Sequence, residues 1–124
     1  MYELVVKGAF SAAHALRNYH GKCEALHGHN FKVEVYVRSE GLGPGGMALD
    51  FAVIKRELRA ALEGVDHRYL NDLPYFRDKE PSSENLARMI FEEMQRRLEG
   101  KGVEVYKVTV WESERAGASY LREP

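Results

Sequence analysis

Residues 31–38, FKVEVYVR, alternate without interruption. Phe31, Val33, Val35 and Val37 are apolar, while Lys32, Glu34, Tyr36 and Arg38 are polar or amphipathic. A period of two predicts a strand with one buried and one wet face, as in an antiparallel sheet covered on one side. Just upstream lies KCEALHGHNF, residues 22–31, with the only cysteine and two of the five histidines. If the strand extends back through it, His27 and His29 share the side of Phe31 and Val33. Two imidazoles on a core-facing side need partners, and one metal ion can satisfy both. Gly28 between them keeps the chain slim and allows unusual backbone angles.

The remaining elements follow from periodicity and breakers. Residues 2–10 alternate, with Tyr2, Leu4, Val6 and Phe10 on one parity, and predict a first strand. GLGPGG at 41–46 is a loop. Asp50 is placed to cap a helix over 51–62, whose stripe is Ile54, Leu58 and Leu62. Residues 66–81, with prolines at 74 and 81, are irregular. Ser82 or Ser83 starts a second helix with the stripe Leu86, Ile90, Met94 and Leu98, and Phe91 beside it. Gly100 and Gly102 end it. Residues 103–111 are rich in Val, Tyr, Thr and Trp and predict a strand, and 118–121 a short last one. The order strand, strand, helix, helix, strand, strand predicts an α+β fold: a four-stranded antiparallel sheet with both helices on one face.

Composition narrows the function. The 124 residues suit one domain, 1–124, with a small core of its own. A net charge of −1 and the lack of a basic block argue against nucleic-acid binding. No apolar run reaches the length of a membrane span, and the first residues lack the layout of a signal peptide. A single cysteine cannot form an internal disulfide, so a reducing cytoplasm is expected.

A zinc site needs a third ligand beside His27 and His29. His14, His20 and His67 are available. His14 is preferred, because pairing of the first two strands brings it near the end that carries His27 and His29. His20 lies in a polar loop. Cys23 is either a fourth ligand of a closed site or a thiolate beside an open one. Asp66–His67 can act as an Asp that orients a proton-transferring His, or as a helix-terminal histidine beside a surface aspartate. Glu112 shares the parity of Tyr106, Val108 and Val110. A carboxylate ending that row needs a donor, and two adjacent N–H groups of a guanidine-like heterocycle would serve. The alternative is a strand-end glutamate in solvent. Glu24 is a further base or a loop charge.

The motifs FSAAH, C-x3-HGHNF, LDF, VDHRYLND, PSSEN and VWE, in this order over nearly the whole chain, resemble the 6-pyruvoyl- and 6-carboxytetrahydropterin synthase family. The resemblance implies the tunnelling fold, with two helices inserted between strands two and three. It also implies trimers whose sheets form a barrel, and two trimers per hexamer. It implies zinc held by His14, His27 and His29, a catalytic thiol at Cys23, and Asp66 with His67 completing a proton-transfer triad. Glu112 would anchor a pterin ring, and Ser82 and Ser83 would line its pocket. Only three residues separate Cys23 from HGH, as in the bacterial carboxy-forming branch of queuosine biosynthesis. Glu24 is a departure. A related branch uses glutamate in place of the cysteine to make 6-hydroxymethyl-dihydropterin for folate, and this chain carries both residues. The implied substrate is 7,8-dihydroneopterin triphosphate, with Lys22, and less so Arg17, for the phosphates. The non-enzymatic alternative is a zinc-stabilised binding module, which predicts Cys23 as a ligand and unfolding on chelation.

Overall fold

The computed structural model describes residues 1–17 and 25–124. Two long strands, β1 (Tyr2–His14) and β2 (His27–Ser39), form an antiparallel pair whose register runs from Tyr2 opposite Ser39 to His14 opposite His27. The helix α1 (Phe51–Glu63) follows, then the short β3 (Arg68–Tyr69), α2 (Ser83–Arg97), β4 (Glu104–Trp111) and β5 (Gly117–Leu121). The sheet order is β3-β1-β2-β4-β5.

The alternation in β2 holds along its full length. Phe31, Val33, Val35 and Val37 are buried, and Lys32 and Glu34 face away from them. Ile54, Leu58 and Leu62 of α1, which lies on β1, and Leu86, Ile90, Phe91 and Met94 of α2, which lies on β4 and β5, join this row in one apolar cluster. The helices start where their caps predict. The Asp50 carboxylate accepts the Ala52 N–H at 2.9 Å, and the Ser82 hydroxyl accepts the Asn85 N–H at 3.2 Å. Gly117 sits opposite Trp111, where a Cβ would come within 2.7 Å of the indole, so only glycine leaves room for that ring.

Four expectations need correction. The sheet has five strands and is not purely antiparallel, because Arg68–Tyr69 runs parallel to β1 beside Ala12 and Ala13. A two-residue strand has no periodicity to read. The helices accordingly lie between β2 and β4, with β3 between them. β1 runs four residues past the predicted end at Phe10, since small Ser11-Ala12-Ala13 carry no alternation while their partners in β2 continue the ladder. Tyr106 is not in the core row of β4. The register shifts at this point, so Val105 takes the buried place, while Tyr106 lies under the Arg38 guanidinium and Lys107 over Tyr36. Segment 66–81 is irregular but anchored, with Leu70 and Phe76 fully buried on two 3₁₀ turns. No helix among the described residues is long and apolar enough to cross a membrane.

Candidate active site

The strand register builds the site. His14 ends β1 directly opposite His27, the first residue of β2, and His29 follows on the same face. Glu112, just past β4, continues the row of Val108 and Val110, and its N–H donates to the Ala116 carbonyl at 3.0 Å across the turn into β5. These four side chains meet, with one ligand atom from each lying within 4.8 Å of all the others.

The backbone fixes how two of the imidazoles are used. His14 Nδ1 lies 2.6 Å from the Pro81 carbonyl, and His27 Nδ1 lies 2.7 Å from the Ala25 carbonyl. A carbonyl only accepts, so Nδ1 carries a proton in both rings, and in the neutral form Nε2 presents a lone pair. That is how a metal-binding histidine is oriented from behind. His14 is only 2% exposed. Among the described residues, the Nε2 atoms of His14 and His29 are buried without a hydrogen bond. Burial also lowers the His29 pKa, favouring its neutral form, against an opposing pull from the Glu112 carboxylate. Two orphaned imidazole nitrogens, a third imidazole and a carboxylate form a donor set that fits zinc.

Asp66 and His67 form a second constellation. The Asp66 Oδ1 accepts the Ser11 N–H at 2.9 Å and lies 3.0 Å from His67 Nδ1. The Ser11 N–H is the first cause of a lowered Asp66 pKa, with His67 adding to it. The His67 N–H donates to the Ser11 carbonyl at 2.6 Å, and His67 holds φ 57°, the one positive value among the described non-glycine residues. A histidine in that region is a strained choice found at functional positions. Its imidazole is 82% exposed. It shares an open groove of about 450 Å³ with Ser11, Gly28, His29, Asn30 and Tyr69. Gly28 keeps an ordinary strand backbone, so the unusual angles expected for it are not needed. Its missing side chain leaves the groove open.

Other expectations fare differently. Ser82 and Ser83 stand at the start of α2 beside Pro81, on which His14 leans. Arg17 is not free for phosphate. Its guanidinium donates to the Phe76, Lys79 and Asn71 carbonyls at 2.8–3.0 Å, which binds the 71–80 loop to the end of β1. The Asn71 amide completes this clamp by pairing with both the N–H and the carbonyl of Ala15. Neither role was legible, because both rest on backbone carbonyls far away in sequence. Lys22, Cys23, Glu24 and His20 lie outside the described residues.

These features define a class: an α+β protein whose sheet gathers a metal-binding group at one end and an Asp–His pair beside it. The chain belongs to the 6-pyruvoyl tetrahydropterin synthase family, whose family model matches residues 3–123. A Synechocystis protein named 6-carboxy-5,6,7,8-tetrahydropterin synthase is 37% identical, over 98% of this chain and 94% of its own. A Pyrococcus furiosus protein named dihydroneopterin monophosphate aldolase is 32% identical, over 92% of each chain. The structure of Caenorhabditis elegans 6-pyruvoyl tetrahydropterin synthase superposes with a TM-score of 0.88 at 31% identity, covering 98% of this chain and 96% of that one. The fold is thus the tunnelling fold, and the chain is an enzyme of this family rather than a binding module.

Proposed function

We propose that the protein is a zinc-dependent carbon–carbon lyase. Consuming one water, it converts 7,8-dihydroneopterin triphosphate to 6-carboxy-5,6,7,8-tetrahydropterin, acetaldehyde and triphosphate, for queuosine (7-deazapurine) biosynthesis in the cytoplasm. The observation that carries this reading is the convergence of His14, His27 and His29, with the Nε2 atoms of His14 and His29 buried among them. The Synechocystis relative supports the choice of product.

His14, His27 and His29 would hold the zinc. Bound zinc supplies Lewis acidity toward the side-chain hydroxyls of the substrate. Glu112 offers its carboxylate to the N–H pair on the pyrimidine edge of the pterin, with Ser82 and Ser83 lining the same pocket. Asp66 accepts from His67 Nδ1, which leaves His67 Nε2 to take or give a proton. Cys23, as thiolate, moves the proton on the other side of the substrate side chain, and Lys22 meets the triphosphate. His67 is largely exposed in one subunit. Its exposure supports a homo-oligomer, a hexamer of two trimers, in which neighbouring subunits cover the groove and exclude water.

A second reading makes 6-hydroxymethyl-dihydropterin with Glu24 as the base. It is favoured by Glu24 standing next to Cys23 and by the Pyrococcus relative. A 6-pyruvoyl product is the third. One experiment separates them: zinc-loaded wild type, Cys23→Ala and Glu24→Ala are incubated with 7,8-dihydroneopterin triphosphate, and the pterins are identified by mass spectrometry. Carboxytetrahydropterin from wild type and Glu24→Ala, but not Cys23→Ala, is the expected result. Hydroxymethyl-dihydropterin from wild type and Cys23→Ala alike would move the protein to the folate branch. A pyruvoyl product, or no turnover, would overturn the lyase assignment.

A further inference from the structure

Glu112 stands in two places at once. As the pterin anchor it must turn both carboxylate oxygens toward a pair of N–H donors. In the structure its Oε1 instead lies 3.2 Å from His14 Nε2 and 3.3 Å from His29 Nε2. Neither nitrogen makes a hydrogen bond to it, although both are close enough. The ring axes therefore do not aim at the oxygen. In the neutral His14 ring the proton faces Pro81 on Nδ1, so Nε2 has none to give to Glu112. A lone pair and a carboxylate oxygen at that distance repel unless a cation lies between them.

The spacing of Glu112 from two of the three histidines, His14 and His29, fits ligands that share one metal. Two ligands on one tetrahedral zinc, each bonded at about 2.0–2.2 Å, are separated by roughly 3.4 Å. The two observed separations are close to that edge length. Glu112 can also leave, since its side chain is 29% exposed and, among the described residues, its only hydrogen bond is the backbone one to Ala116.

We propose that Glu112 is the fourth ligand of the metal in the resting enzyme, and that the donor pair of the pterin edge draws it off, opening a coordination position as the substrate is seated. This rests on the function proposed above. A molecule without that donor pair cannot release the carboxylate, so the metal is withheld from water and simple anions. Recognition of the ring and exposure of the metal are then one event. The same residue sets both specificity and readiness.

The test uses the whole protein without the triphosphate substrate. Zinc affinity is measured by chelator competition, and the cobalt-substituted protein is followed by visible absorption, for wild type, Glu112→Gln and Glu112→Asp. Circular dichroism and melting of the metal-free proteins check folding, and Glu112→Asp keeps the comparison usable should the glutamine variant not fold. Glu112→Gln is expected to bind zinc at least about tenfold more weakly, the lower end of what losing even an outer partner costs. Its cobalt spectrum should differ from wild type, with Glu112→Asp in between. Neopterin, which carries the ring without phosphate, should shift the wild-type cobalt spectrum, whereas inorganic phosphate should not. Equal zinc affinity and equal spectra in wild type and Glu112→Gln would make Glu112 a substrate anchor only. A wild-type spectrum unmoved by neopterin would overturn the release, as would one moved equally by phosphate. The metal measurements need no turnover, so an inactive enzyme with Glu112-dependent zinc binding would defeat the proposed reaction and leave the ligand assignment standing.

Discussion

One face of β2 holds two regions that differ completely in use. Phe31, Val33, Val35 and Val37 lie beneath the helices at no more than 1% exposure. His27 and His29 point to the same side four and two residues before Phe31, but meet His14 and Glu112 instead of helix side chains. The pleat gives both halves the same direction. What differs is the cover: apolar helix stripes over one half, and the 71–81 loop with its Pro81 carbonyl at the other. Phe31 is the seam. It stacks on Phe10 at 4.9 Å between ring centres and meets the edges of His14 and His29 at 5.5 Å each.

This contrast can be broken at neighbouring positions. Phe31→Ala should cost about 3–5 kcal/mol of stability, by leaving a cavity under both halves. Denaturant unfolding of the metal-free protein measures it, and a loss below about 1 kcal/mol would mean the seam is not closely packed. His29→Ala, two residues away on the same face, should do the opposite. Zinc affinity should fall by more than the 10–100-fold that an outer partner costs. The metal-free protein should melt within a few degrees of wild type, because the lost ring contacts with Phe31 and the other histidines are offset by removing a buried, orphaned nitrogen. Zinc titration paired with thermal melting decides this.

Arg17→Ala tests whether the loop really is the cover of the metal end. Three carbonyls lose their donor, for about 1–3 kcal/mol. Zinc affinity should fall about tenfold, through Pro81 and His14. Arg17→Lys should not restore it, since one ammonium cannot span three carbonyls. Unchanged zinc binding in Arg17→Ala would detach the loop from the site.

The smallest effect belongs to Asp66. Its folded pKa lies below the ordinary 3.8, chiefly because the Ser11 N–H stabilises the carboxylate. A depressed acid contributes stability above the unfolded value and loses it as pH falls through the folded one. The advantage of wild type over Asp66→Asn should therefore hold at neutral pH and shrink only below pH 3.8. Urea melts across that range read it out, and a gap independent of pH would assign the effect to shape rather than charge.

Much of this was legible in the chain. Alternation placed β2, stripes and caps placed both helices, and parity put His27, His29 and Glu112 on the inner side. His14 was reachable by supposing that β1 pairs with β2. Arg17 and Asn71 were not, because their partners are carbonyls more than fifty residues away and carry no side-chain signal. The bulge that turns Tyr106 out of the core was hidden too, since strict parity assumes an unbroken ladder.

The sequence by itself determined which side chains face inward wherever the ladder is unbroken, because side-chain direction along a strand or helix follows from local backbone geometry and spacing. Only the tertiary structure decided which of them meet. His14 finds Pro81, Ser11 finds Asp66, and Glu112 reaches the histidines through register and loop anchoring. Those contacts join residues distant in the chain, and a distance between such residues is a property of the folded whole.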